Sequence, residues 1–118
     1  MSDDRRRFTR IPFDAATYLQ QDDWQLPVQL VDISLRGLLV VQPKGWEQKR
    51  SQHPFFAIID LAEGSQIRME VRLAHAEEGL LGFQCAHIDL DSISHLRRLV
   101  ALNLGDETLL DRELGALL

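Results

Sequence analysis

The sequence predicts a mainly β domain: a six-stranded antiparallel β-barrel with a short N-terminal arm before it and a C-terminal α-helix after it. Three observations carry this. Six short alternating or apolar runs fill the middle of the chain, polar breaks rich in Gly or Pro separate them, and helical spacing of apolar residues is confined to the last quarter. A chain of 118 residues supports one core. So many consecutive antiparallel strands over a small core are best buried by curling the sheet on itself.

Taken in order, residues 1–13 form an arginine-rich arm expected to be flexible, residues 14–88 the barrel and residues 89–118 a helical segment packing on it. The predicted strands run from Ala16 to Gln20, Gln25 to Ser34, Leu38 to Gln42, Phe55 to Leu61, Gln66 to Ala76 and Leu80 to His87. The breaks are Gln21-Asp22-Asp23, Leu35-Arg36-Gly37, the Pro43 to Pro54 loop, Glu63-Gly64-Ser65 and Glu77-Glu78-Gly79. Pro27 has no N–H for a ladder hydrogen bond, which places that part of the second strand at an edge or a bulge and leaves the closure of the barrel there imperfect.

Beyond His87, Asp91 or Ser92 is placed to cap a helix that gathers Ile93, Leu96, Leu99 and Val100 on one face, with Gly105 to stop it. Asp106 and Glu107 suit the start of a further helical stretch carrying Leu109, Leu110, Leu114 and Leu117. That stretch reads equally as a loosely held tail or as a surface that docks on another protein.

Composition narrows the functional classes. Hydrophobic residues at 45% and charged residues at 26% are globular values, excluding wholesale disorder and collagen-like or low-complexity architecture. The formal charge of −5 argues against unselective binding of nucleic acid polymers or anionic lipid. It is unevenly spread: the first ten residues hold four arginines against two aspartates, a net of +2, and the other 108 hold nine bases against sixteen acids, a net of −7. Cys85 is the sole cysteine, so an intrachain disulfide and a cysteine-based zinc site are both impossible, which fits a reducing compartment, the cytoplasm. The start lacks a signal-peptide apolar stretch, and no run reaches the ~18 apolar residues of a membrane span, so a soluble protein without membrane insertion is expected.

The arm places Arg5, Arg6, Arg7 and Arg10 within six residues, a self-repelling cluster that an anionic partner would relieve. Guanidinium is planar and forked, suited to clamping phosphate, to taking guanine O6 and N7 together, and to stacking on a base. A guanine nucleotide satisfies all three. The plainer reading is a solvated tail that aids solubility. A second cluster, Asp32-Ile33-Ser34-Leu35-Arg36-Gly37, leaves the second strand. Asp32 and Ser34 are two apart and share one face of an extended segment, with Val31, Ile33 and Leu35 on the other. A carboxylate there suits the N1 and N2 hydrogens of guanine, a hydroxyl suits phosphate or ribose, and Gly37 permits close backbone approach. The plainer reading makes Asp32 and Ser34 turn formers and Gly37 the left-handed residue of a hairpin. His75 shares sequence parity with Met69, Val71 and Leu73, so it reads as a half-buried strand-end residue or, secondarily, as a stacking surface for the ligand. His87, Asp89 and Asp91 alternate as metal ligands would, but they span a strand-to-helix junction where Asp caps, and no metal is assigned.

Together the two strings resemble the PilZ domain, whose signature is Arg-x-x-x-Arg followed some twenty residues later by Asp or Asn-x-Ser-x-x-Gly. Here these are Arg6 to Arg10 and Asp32, Ser34 and Gly37. The likeness extends to the whole chain, as a stand-alone single-domain PilZ protein with the six-stranded barrel and C-terminal helix. It implies a bacterial receptor or adaptor for cyclic di-GMP, not an enzyme and without a cofactor. By that likeness Arg6 and Arg10 contact guanine and phosphate, Asp32 the guanine edge, Ser34 the ligand's polar rim and Gly37 the close approach. Family members bind one molecule or an intercalated pair, and Arg5 and Arg7 would offset the added charge of a pair, so two ligand molecules per chain are expected. Ligand-induced ordering of the arm would change the surface that a downstream protein meets, with the receptor itself a monomer. The alternative is a PilZ-fold interaction adaptor indifferent to nucleotide. A hydrolase built on Ser34 lacks a nucleophile elbow, and a single-strand nucleic-acid binder needs a basic groove with several exposed aromatics, whereas only 7% of residues here are aromatic and the body is acidic.

Overall fold

The computed structural model describes residues 9–104 together with Arg112, Leu114 and Gly115. Seven strands and one α-helix follow in order: β1 (Ile11–Pro12), β2 (Ala16–Gln21), β3 (Trp24–Ser34), β4 (Gly37–Val41), β5 (Phe55–Asp60), β6 (Gln66–Glu77), β7 (Leu80–Ile88) and α1 (Leu90–Leu104). The antiparallel ring runs β3-β2-β5-β6-β7-β4, and β4 returns to pair with β3, closing six strands into a barrel. All six predicted strands are present, each end within one residue of its expected position.

β1 is the strand that the sequence does not announce. Its two residues lie in the segment expected to be arm, yet Ile11 pairs with Ile33, Pro12 with Asp32, and Ile11 is buried. Two residues are too short to show a period. The effect is to tie the base of the arm to the end of β3 that bears Asp32.

Pro27 sits where an N–H is dispensable. It pairs with Tyr18 of β2 on one side, while β4 joins the other side of β3 only from Gln29 onward. The Pro27 half of β3 is therefore an edge, and the barrel closes through Gln29 to Ser34. The bulge lies elsewhere, at Val31, between the pairs Leu30–Val40 and Asp32–Leu39. It corrects the expected alternation: Leu30, Ile33 and Leu35 are buried and Val31 is only half-buried, because the extra residue shifts the inward set by one.

Leu19, Ile33, Val40, Ala57, Ile59, Ile67, Met69, Val71 and Leu81 fill the barrel interior. At the end where β5 begins, Phe55 and Phe83 meet edge to face at 5.7 Å, and Trp46 from the 43–54 loop lies 5.5 Å from Phe55, plugging that mouth. At the opposite end α1 buries Leu96 and Val100, while Ile93 and Leu99 are half-buried against the same core. The helix cap is Asp89, not Asp91 or Ser92. Asp89 Oδ2 accepts the Ser92 N–H at 3.4 Å and its carbonyl accepts the Ile93 N–H at 2.9 Å. Ser92 is instead buried, its Oγ accepting the Arg68 N–H at 2.8 Å and pinning the helix to β6. Gly105 and most of the further helical stretch lie outside the described residues; Leu114 packs half-buried on the core. Among the described residues no helix is long and apolar enough to cross a membrane.

Candidate ligand-binding cleft

On the outside of the barrel, β3, β4, β7 and β6 lie side by side, and a cleft of about 320 Å³ opens across them. Arg10, Asp32, Ser34, Gly37 and His75 all line it. Five of the eight predicted site residues thus meet in one place, although His75 is more than 35 residues from the nearest of the others (75 against 37). Arg5, Arg6 and Arg7 lie outside the described residues.

Asp32 is half-buried on β3, and loss of water raises its carboxyl above the usual 3.8, while the charge of Arg10 pulls it the other way. Desolvation prevails. A carboxylate so placed gains from any further N–H donors brought to it. Ser34 is buried, and its Oγ accepts the Arg36 N–H at 3.1 Å, which stabilises the two-residue link between β3 and β4. Its turn-forming role is real, and its own hydroxyl proton is still a donor. The other face of the link is held as well, by the Cys85 N–H donating to the Arg36 carbonyl at 2.6 Å.

Gly37 is not the left-handed residue of that hairpin; it pairs with Gln84 inside the β4–β7 ladder, and the left-handed glycines among the described residues are Gly45, Gly64 and Gly79. The demand on Gly37 is space. A Cβ there would sit 2.0 Å from the Phe83 carbonyl oxygen, so the close approach it permits is that of the neighbouring strand.

His75 is exposed, contrary to the half-buried position its parity suggests. A second bulge, at Ala74 between the pairs Leu73–Phe83 and His75–Gly82, puts Leu73 and His75 on opposite faces of β6. Among the other lining residues, sequence reasoning passed over two with polar side chains, Arg36 and Gln84. Arg36 stands inside the Asp32 to Gly37 string and was legible as a nearby cation; Gln84 arrives only through the pairing of β7 with Gly37.

A larger groove, about 880 Å³, lies between the start of α1 and β6–β7, lined by Phe56, Arg68, Glu70, His87, Asp89 and His95 among others. Its charges are of mixed sign and partly engaged: Arg68 stacks 4.7 Å over Phe56, and Asp89 is the helix cap. The carboxyl of Asp89 is held below its usual value chiefly by the Ser92 side chain. Among the described residues no group of three or more His, Cys, Asp or Glu side chains is arranged to hold a metal ion.

Fold and cleft together define a small closed β-barrel with an arginine-edged cleft on its outer wall. Residues 4–102 match the sequence pattern of the PilZ domain, and the chain belongs to the PilZ domain family. Its fold is similar to that of Bacillus subtilis MotI/DgrA, an inhibitor of motility, with a TM-score of 0.63 at 20% identity over 86% of this chain and 52% of that one. It is similar also to the PilZ domain of CeSA from a cellulose synthesizing bacterium, with a TM-score of 0.59 at 19% identity over 83% of this chain and 99% of that one. A third similar structure is Escherichia coli YcgR in complex with c-di-GMP, with a TM-score of 0.60 at 21% identity over 88% of this chain and 47% of that one. The chain thus spans about half the length of MotI/DgrA and of YcgR.

Proposed function

We propose that this protein is a receptor for cyclic di-GMP, binding it in the cleft across β3, β4, β7 and β6 and catalysing nothing. The observation that carries the reading is the convergence of the two signature strings: Arg10 of the first and Asp32, Ser34 and Gly37 of the second line one cleft. Membership of the PilZ family and the similarity to YcgR, whose structure holds c-di-GMP, support the choice of ligand.

In this reading Arg6 and Arg10 take guanine and phosphate, Asp32 accepts the guanine N1 and N2 hydrogens, Ser34 donates to the ligand's polar rim and His75 stacks on a base. Arg5 and Arg7 offset the charge of a second intercalated molecule, giving two ligands per monomeric chain. The arm closes over the ligand. Ordering it costs ~1–2 kcal/mol per residue, while each well-made guanidinium–guanine pair returns ~1–3 kcal/mol, so several contacts form together or not at all. Closure replaces an open basic surface with an ordered, more negative one, and a downstream protein distinguishes the two.

The test is calorimetric titration with cyclic di-GMP, cyclic di-AMP and GMP, while following the amide resonances of the arm. The expected result is selective binding of two cyclic di-GMP molecules, ordering of the arm, and loss of binding in Arg6→Ala and Arg10→Ala with an unchanged melting curve. A ratio of one contradicts the paired ligand; full affinity in Arg10→Ala overturns the site.

A further inference from the structure

β6 is longer than the strand on one of its sides. β5 pairs with it only as far as Phe55–Val71, whereas β7 follows it to Glu77–Leu80. The loop before β5 does not take over. The His53 N–H donates to the Arg50 carbonyl at 3.2 Å, and the His53 and Pro54 carbonyls accept the Gln21 side-chain amide at 3.3 and 3.2 Å. Ladder alternation identifies the groups left open. Glu78 and Gly79 have left-handed φ of 55° and 77°, so their two-residue turn closes on a Glu77–Leu80 pair that exchanges both hydrogen bonds. The Ala76 N–H and carbonyl, one residue earlier, therefore point away from β7. From the other end, the Leu61 N–H donates to the Ser65 carbonyl at 2.8 Å, and alternation from there makes Ile59–Ile67, Ala57–Met69 and Phe55–Val71 the bonded pairs. Leu73 is the next residue to face that side. With the Ala74 bulge between them, Leu73 and Ala76 offer two N–H groups and two carbonyls that no described strand takes.

We propose that this edge takes a second copy of the chain: two β6 strands pair antiparallel about a twofold axis, Leu73 of each opposite Ala76 of the other. The bulge fixes the register. Only this alignment sets each Ala74 bulge against its equal; any other sets a step of three residues against one of two. In it Arg72 of each copy stands across from Glu77 of the other. Both side chains are exposed and lie on the outer face of the sheet, Arg72 opposite Gln84 and Glu77 two residues on from His75. Among the described residues neither has a salt-bridge partner in its own chain. On the inner face Leu73 and Ala76, which stand opposite buried Phe83 and Leu81, cover each other across the axis. A single short edge buries far less than the ~1,200–2,000 Å² of a standard stable interface, so the pairing is reversible. The dilute chain is the monomer of the reading above, and each copy keeps its own cleft and ligand count.

The test is sedimentation equilibrium of the full chain without nucleotide, at low salt, from about 10 µM to about 1 mM. The wild type is expected to pass from monomer to dimer across that range. Arg72→Glu sets like charges across the axis at two places, as does Glu77→Arg, and each is expected to weaken pairing about tenfold or more. The double variant Arg72→Glu/Glu77→Arg restores opposite charges and should pair within a few-fold of wild type. Amide hydrogen exchange should slow with concentration at Leu73 and Ala76, but not at His75, whose N–H already faces β7. A chain that stays monomeric at the highest concentration overturns self-pairing and leaves the edge to a strand of another protein. Dimers indifferent to either single reversal, or not rescued in the double variant, overturn this register. Arg72 and Glu77 take no part in the proposed ligand contacts, so titration of the same variants with cyclic di-GMP tests the receptor reading separately.

Discussion

Replacing Gly37 with alanine separates two explanations for the glycine that ends the Asp-x-Ser-x-x-Gly string. If Gly37 exists to let a ligand approach, Gly37→Ala should fold normally and bind poorly. The packing says otherwise. A Cβ at Gly37 would stand 2.0 Å from the Phe83 carbonyl oxygen and 3.1 Å from the Gln84 Cα, whereas ordinary contact begins at 3.4 Å. The obstacle is main chain, with no rotamer to relieve it, so β4 and β7 must part locally by more than an ångström. The Gly37–Gln84 and Leu38–Phe83 pairs and the Cys85 to Arg36 hydrogen bond all lie at this corner. Two or three backbone hydrogen bonds at ~0.5–1.5 kcal/mol each amount to about 3 kcal/mol. For a domain of this size that lowers the melting temperature on the order of 10 °C. Urea unfolding followed by tryptophan fluorescence, with Trp24 and Trp46 in the aromatic plug as reporters, measures it directly. A Gly37→Ala variant within 1 kcal/mol of wild type that has nonetheless lost cyclic di-GMP would refute the steric argument and reinstate ligand approach.

Asp32 predicts an opposition between stability and binding. Burial raises its carboxyl, so the stability associated with its protonated form is present below the ordinary value of 3.8 and lost as pH rises through the higher folded value. Asp32→Asn should therefore melt higher than wild type at pH 7 while losing cyclic di-GMP; a lower melting point would show that the carboxylate is structurally engaged. Asp89 runs in the opposite sense: its lowered carboxyl supports the fold above the usual 3.8, and that support disappears as pH falls through the lower folded value. Chemical denaturation between neutral and acid pH should show Asp89→Asn converging on wild type at the acid end. Ser92→Ala leaves the Arg68 N–H without its partner beneath α1 and should cost ~1–3 kcal/mol, measured by urea unfolding, with ligand affinity unchanged.

The strands were legible because alternation and hairpin-length breaks are local signals, and barrel closure followed from their number. Arg10, Asp32 and Ser34 were legible because their chemistry converges on one kind of ligand. What escaped depends on register. Bulges at Val31 and Ala74 each insert one residue into a strand, so counting by twos misassigns Val31 inward and His75 with Leu73. The cap escaped for a different reason: β7 ends at Ile88 and α1 begins at Leu90, so Asp89 serves with no linker around it to mark the junction. Gln84 and Gly82 had no signal of their own; β-pairing across chain separations of 47 and seven residues brings them to Gly37 and His75 (84 against 37, 82 against 75).

The cleft brings together residues from four strands. The outer pair β3 and β6 contribute Asp32 and His75, while the central pair β4 and β7 contribute Gly37 and Gly82, whose missing side chains make room for the Phe83 main chain and the His75 ring. Each of those outer side chains directly follows a bulge residue, Val31 or Ala74, where local twist increases and a side chain is re-aimed. Asp32 and His75 thus stand on opposite sides of the cleft, with β4 and β7 between them. Such an arrangement is set by the barrel before any ligand arrives. On the proposed reading the N-terminal arginines add to the charge that Arg36 already brings to the cleft, and β1 ties Pro12 beside Asp32 through their pairing. On the proposed reading, guanidiniums that reach the cleft from its acidic side meet a wall already set by the strands, which confines the entropic cost of recognition to the N-terminal segment.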